Sequence, residues 1–259
     1  MRIASVGHAV FAAAMITVGV LGLVNGTFAA IWEPVPKGVP AREVLVYLSA
    51  FVALGGGIGL LFRRTASPAA RALLGYLLLW MLVLRGRVIV LAPASQNSWS
   101  NCAETAVIVA GAWVLYAWFA TDWDRRRLRF FTDVRIARVL YGLALIPFGI
   151  AHFVYPKETA GLVPSWLPAH LALAYFTGGA FLAAGVAILV GVCGRLAAAL
   201  SALQIGLFTA LVWLPIVASA GHKDAFQWSE TLISLAVTAG AWVVADSYRG
   251  MAWLAVNKR

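Results

Sequence analysis

Charge is scarce in this sequence. Only 12% of its 259 residues are Asp, Glu, Lys or Arg, where a soluble globular domain carries about 25%. With 62% hydrophobic residues and a mean hydropathy of +0.87, the chain has too little polar surface to cover itself in water. Cysteine is almost absent as well. Cys102 and Cys193 form no CxxC or metal-finger spacing, which excludes a disulfide framework and a zinc ribbon. The four histidines show no HxxxH or HxxE pattern, so no metal ligand set is assigned. A glycine-rich dinucleotide loop, a P-loop and a nucleophile elbow are all missing, and with them the usual nucleotide-dependent enzymes and serine hydrolases. Acidic residues are the scarcest charges: 10 against 20 basic ones, for a net charge of +10. That balance would suit nucleic acid in a soluble chain, but no base-reading motif accompanies it.

What the chain has instead is eight apolar runs, near residues 5–30, 43–62, 69–92, 103–120, 137–154, 170–190, 196–219 and 229–247. Each approaches the roughly 20 residues that a helix needs to cross a bilayer, and the short alternating strands of a barrel are not seen. The sequence predicts an all-α integral membrane protein with eight transmembrane helices. The connecting segments alternate in charge. One set holds Arg2, then Arg63, Arg64 and Arg71, then Arg125, Arg126, Arg127, Arg129, Arg135 and Arg138, then Arg195, and finally Arg249, Lys258 and Arg259. The other set keeps only Lys37, Arg42, Lys157 and Lys223. Positive-inside bias places both termini in the cytoplasm, in a bacterial-type inner membrane. The two cysteines then fall on opposite sides and cannot pair. The first run could pass for a signal peptide, but it has a counterpart in the middle of the chain.

The two halves match. VPAREVLVYLSAFVALGGGIGLL (39–61) aligns without gaps on LPAHLALAYFTGGAFLAAGVAIL (167–189), pairing Pro40 with Pro168, Tyr47 with Tyr175 and Gly57 with Gly185, 128 residues apart. GLVN (22–25) matches GIAH (149–152), and AETAVIVAGAWV (103–114) matches SETLISLAVTAGAWV (229–243) with three extra residues. Four helices per copy is an even number, so both copies start on the same side. The expectation is two parallel-repeat four-helix bundles about a pseudo-twofold axis along the membrane normal. The first repeat covers 1–121 and the second 138–248. Residues 122–137, with Trp123, Phe130 and Phe131 among arginines, read as an amphipathic linker on the anionic cytoplasmic leaflet. The tail, 249–259, reads the same way.

In the second half, GIAHFVYPKETAGLVPSWLPAHLALAYFTGGAFLAAGVAILVG ends one helix on Gly and His and passes through a proline-bearing loop. It begins the next helix with Tyr-Phe-Thr-Gly. This stretch resembles the DoxX-like family of four-helix bacterial and archaeal membrane proteins, well over residues 138–245 and more weakly over 8–120. The resemblance implies association with membrane oxidoreductases, since the name-giving member is a subunit of a quinone-reducing thiosulfate enzyme. Many members have no known activity. The chain departs from the family at one position: relatives often carry a glutamate in the second helix where this sequence has Phe181, and Ala53 in the first copy.

The stretch HFVYPKETAGLVPSWLP (152–168) admits two readings. In the first it is a loop cap, its prolines holding a short turn and Tyr155 and Trp166 sitting at the headgroup level. In the second it is a lid: His152, Glu158, Trp166 and Glu230 close the outer mouth of a pocket in the second bundle, above a floor of Phe176, Phe181, Phe208 and Trp213. A quinone or lipid, polar at one end and apolar in its body, suits such a pocket. His152, which stands where the first copy has Asn25, belongs to the residue type that titrates near neutral pH. A carbonyl or water would satisfy it equally. His170 and His222 fall on the same side and His8 on the other, leaving no pair at matching depth for a haem.

Glu104 and Glu230 occupy equivalent positions near the starts of the fourth and eighth helices, where capping and the helix dipole favour a carboxylate. Arg85 lies about 24 Å along the third helix, below the outer surface of a core about 30 Å thick, and is expected to form a buried ion pair with Glu104. Arg87, roughly 200° further round, faces elsewhere. Gly22-xxx-Gly26 and Gly55-xxx-Gly59 suit close helix packing and would also suit a homodimer. Trp113 and Trp242 match between the copies as interfacial or packing residues.

Three functions follow. The first is a quinone- or lipid-binding subunit of a membrane oxidoreductase, with a quinone as cofactor, and it rests on the resemblance. The second is a transporter or channel for a small solute, suggested by the parallel repeats and the buried arginine. The third is a structural or assembly protein without catalysis. The bilayer, an oxidoreductase subunit and a second copy are the partners implied, and nucleic acid is not. No catalytic residue is assigned.

Overall fold

The computed structural model describes residues 3–29, 35–36, 38–220 and 225–256; Arg2, Lys37, His222, Lys223, Lys258 and Arg259 lie outside the described residues. Among the described residues the chain is all-helical, with eight helices long and apolar enough to cross a membrane. They are α1 (Val6–Asn25), α2 (Arg42–Leu60), α3 (Ala66–Leu91), α4 (Gln96–Phe119), α5 (Val134–Val154), α6 (His170–Val190), α7 (Gly194–Ser219) and α8 (Ala225–Asp246). This is the architecture of a multi-pass membrane protein.

The helix ends differ from the apolar runs for local reasons. α1 stops at Gly26, which takes φ 61° and returns its N–H to the Gly22 carbonyl, a left-handed cap that suits glycine. α4 begins seven residues before its apolar run. Its first turns are the polar QNSWSNC, and Ser95 caps them by accepting from the Ser98 amide. Glu104 therefore stands roughly 12 Å inside the helix, and the expectation that it caps the N-terminus is corrected. α3 and α7 each contain one π turn, Met81–Arg85 and Thr209–Trp213. Pro215 follows the second, where its missing N–H breaks the regular ladder.

Each helix packs on its neighbours in the chain, and the ring closes where α1 meets α8. Across the middle of that ring α4 packs against α8. α4 consequently has no lipid face over its centre: every residue from Thr105 to Ala117 is buried, as an all-round apolar helix requires. The crossing is close because glycine meets glycine. A Cβ on Gly111 would lie 2.7 Å from the Gly240 Cα, and one on Gly240 would lie 2.6 Å from the Val107 carbonyl oxygen.

The arginine-rich end of the bundle is tied by buried acids. Asp124, in the short helix Asp122–Arg127, is fully buried. It accepts from the Tyr116 hydroxyl at 2.8 Å and from the Thr121 hydroxyl and amide at 2.7 and 2.8 Å, and it pairs with Arg71 at 2.5 Å. Burial alone would raise its pKa, but these bonds outweigh burial and hold the carboxyl down at about 2. Asp246, ending α8, accepts from the Gly7 amide at 3.2 Å and pairs with Arg249 at 2.8 Å, so a carboxylate stands at the positive start of α1. His8 is satisfied on both sides, accepting from the Ala4 amide and donating to the Leu60 carbonyl. The linker does not lie free. Phe131 stacks on buried Trp113 at 5.3 Å and Phe130 meets its edge at 5.8 Å, while Trp123 stays exposed under Arg71. The tail folds back too: Arg138 donates to the Ser247 hydroxyl and carbonyl, and Arg195 donates to the Met251 carbonyl.

Two consequences are measurable. Gly111→Ala should cost about 1–3 kcal/mol through overpacking at a backbone crossing, read as a lowered midpoint of thermal unfolding in detergent; an unchanged midpoint would mean that α4 and α8 separate freely. The Asp124 contribution has a pH signature. Its folded pKa lies below the ordinary value of 3.8, so the stabilisation is complete above about pH 4 and is lost as pH falls towards 2. Asp124→Asn should lower stability at neutral pH and flatten that acid limb, and identical acid limbs in the two proteins would refute the assignment.

Candidate functional site

At the opposite end, α4, α5, α6, α7 and α8 enclose a cleft of about 220 Å³. Its polar groups come in helical pairs. Ser100 and Glu104 stand one turn apart on α4, and Glu230 and Ser234 one turn apart on α8. From α5, His152 completes the set. Phe148, Phe181, Phe208 and Trp213 supply the apolar lining. Glu230 and Arg85 both lie within electrostatic reach of Glu104.

His152 is held in one orientation. Gly178 faces it across the α5–α6 contact, where a Cβ would lie 2.7 Å from the His152 Cβ. The ring stacks on Phe208 at 6.0 Å and meets the edge of Phe181 at 5.5 Å. Nδ1 contacts the Phe148 carbonyl at 2.7 Å. A carbonyl can only accept, so Nδ1 carries the proton, and a neutral imidazole then offers a lone pair at Nε2. Among the described residues that Nε2 is buried without a partner. Below the cleft, the Thr209 hydroxyl, in the π turn of α7, lies 2.6 Å from that of Ser234 and 2.7 Å from that of Thr238. The π turn aims Thr209 at α8 and puts Trp213 on the cleft wall. Such turns recur at functional sites.

The structure divides the residues chosen from sequence. His152, Glu230, Phe181, Phe208 and Trp213 meet in the cleft. Glu158, Trp166 and Phe176 are exposed and do not line it. Residues 156–161 form a short helix packed on α6, followed by turns. Glu104 joins the cleft from the first half of the chain, so the site is not confined to the second bundle. Arg85 is buried, Arg87 exposed. Arg85 donates through Nε to the Thr105 hydroxyl at 3.3 Å, and among the described residues no ion pair joins it to Glu104. His170 donates to the Leu167 carbonyl. Among the described residues no three His, Cys, Asp or Glu side chains converge as a metal-binding group. Sequence reasoning missed Ser100, Phe148 and Ser234. Each lies four residues from a chosen one, on the same helical face, and that spacing was the available signal.

A domain of unknown function (DUF8561) matches residues 141–245, less than half of the chain. The matched segment includes His152, Phe181, Trp213 and Glu230 but neither Glu104 nor Arg85. No curated protein and no solved structure matches.

The geometry ranks two couplings. A double-mutant cycle in detergent should give about 1 kcal/mol between Arg85→Leu and Thr105→Val, and less between Arg85→Leu and Glu104→Gln. The reverse ranking would restore the ion pair.

Proposed function

We propose that the protein is a tandem duplication of a DoxX-like four-helix unit in a bacterial-type inner membrane, both termini cytoplasmic, and that its cleft binds the reduced head group of a quinone. Several coincidences support the duplication. α1 and α5, α2 and α6, and α3 and α7 each start 128 residues apart, at Val6 and Val134, Arg42 and His170, Ala66 and Gly194. The π turns begin at Met81 and Thr209, the same interval. Ala41 and Ala169, again 128 apart, both take left-handed φ of 51° and 54° ahead of their helices. The crossing glycines both belong to the sequence AGAW, which suits a pseudo-twofold axis between α4 and α8.

The observation that carries the ligand reading is the acceptor-rich cleft. Two carboxylates and the free lone pair of His152 face one aromatic-lined space. Such a set favours a ligand that brings donors. A quinol has two hydroxyl donors on a flat ring that stacks on Phe and Trp, with an apolar tail for the bilayer. Glu104, Glu230 and His152 are placed to take its hydroxyl protons. The electrons would pass to an acceptor on a partner protein, which makes this chain a quinol-binding subunit of a membrane oxidoreductase. The same carboxylates among aromatic rings also suit an amphipathic cation, the substrate that a transporter reading would require.

Thermal unfolding of the detergent-purified protein tests this. A short-chain benzoquinol, kept reduced, should stabilise by about 2.7 kcal/mol at a hundred times its Kd, more than the oxidised quinone does. His152→Ala and the double variant Glu104→Gln/Glu230→Gln should lose most of that shift. Stabilisation by tetraphenylphosphonium but not by the quinol would favour the cation reading, and no shift with either would remove the cleft as a binding site.

A further inference from the structure

On the far side of the first half, α2 and α3 diverge around an apolar groove of about 520 Å³. Phe51, Ile58 and Phe62 stand exposed along it. Its floor is made of small residues. Gly56 and Gly59 are filled against Leu73 and Ala69, but a Cβ on Gly55 would meet nothing within 4 Å. The groove runs to the arginine-rich end, where Phe62 and Thr65 line it and the exposed Arg63 and Arg64 form the turn between them. Neither arginine has an ion pair or side-chain hydrogen bond among the described residues. The segment LFRRTASPAARA (61–72) contains no acid. Asp124, which accepts from Ser67 of this segment, is neutralised by Arg71 and buried. Two uncompensated charges thus stand at the mouth of an apolar trough, beside the positive start of α3.

We infer that this groove is a binding site for an anionic phospholipid, one acyl chain lying along Gly55 and the phosphate held by Arg63 and Arg64. The groove and the arginines occur together. At the positions 128 residues on, Gly55 is replaced by Ala183 and Ala72 by Leu200, while Arg63 and Arg64 become Gly191 and Val192. The small floor residues and the turn arginines change together between the two halves, which generic interfacial arginines would not require. A planar guanidinium suits a phosphate through two parallel N–H donors, and basic residues at a membrane surface each add to the attraction for anionic lipid.

The test is lipid binding by the full chain, followed by native mass spectrometry with phosphatidylglycerol and with phosphatidylcholine of the same acyl chains. The wild type should retain phosphatidylglycerol preferentially. Arg63→Gln/Arg64→Gln changes only exposed side chains and should weaken phosphatidylglycerol about thirtyfold, leaving phosphatidylcholine unchanged. Gly55→Leu fills open space within the groove and should weaken both lipids. Equal retention of the two lipids by the wild type overturns the proposal, as does full phosphatidylglycerol preference in the arginine variant. Loss in the arginine variant with none in Gly55→Leu overturns it too, since the headgroup would then bind without the groove.

Discussion

Everything in this molecule hangs on two glycines. Gly111 and Gly240 bring the backbones of α4 and α8 into contact across the middle of the bundle. Packing of this kind is the main way helices associate in lipid, where no hydrophobic force distinguishes a neighbour from the solvent. Once α4 lies against α8, it is covered on its remaining sides by α3, α5 and the linker aromatics. The first and last helices can then close the ring, and the Asp246–Gly7 contact fastens that closure. Widening the crossing by a methyl group would disturb each of these contacts at once.

The same crossing assembles the cleft. Glu104 and Glu230 lie within about two and a half turns of the starts of the helices that meet at Gly111 and Gly240, on the side away from the arginines. Acids placed on separate lipid-facing helices would be costly and isolated. On the two central helices they share one enclosed space with His152, whose orientation is fixed by Phe148, Phe208 and the missing side chain of Gly178. Phe181 packs on that imidazole. The carboxylates of this cleft come from other helices.

The spans were legible because hydropathy over about 20 residues is a strong and local signal. Helix ends were less so: the polar start of α4 and the cap at Gly26 depend on single hydrogen bonds that hydropathy does not register. Charge distribution marked the end where Asp124, Arg138 and Asp246 are gathered, but not their partners. The cleft was half legible. His152, Phe181, Phe208 and Trp213 were named from their neighbourhood in the chain. Nearness in sequence points Glu104 to Arg85, and the fold adds what sequence nearness does not show: its helix also crosses to α8, which brings Glu104 beside Glu230 in the cleft. A loop rich in prolines resembles a lid, but Glu158 stands exposed on a short helix resting on α6 and Trp166 is exposed in the turns after it. The usable clue was the repeat itself. The segments AETAVIVAGAWV and SETLISLAVTAGAWV match Glu104 with Glu230 and Gly111 with Gly240, and the fold brings each of these pairs together.

The linker between α4 and α5 has an effect beyond joining them. Two separate four-helix chains would meet at a rate and occupancy set by their abundance in the membrane, and every residue of one would be repeated in the other. Covalent connection replaces that encounter with a high effective concentration. It also fixes which four-helix set sits on which side. Arg85 can then stand in one π turn while Trp213 stands in the other. A pair of identical subunits has no means of keeping such differences. A single chain does, and its two ends of unlike chemistry are the outcome.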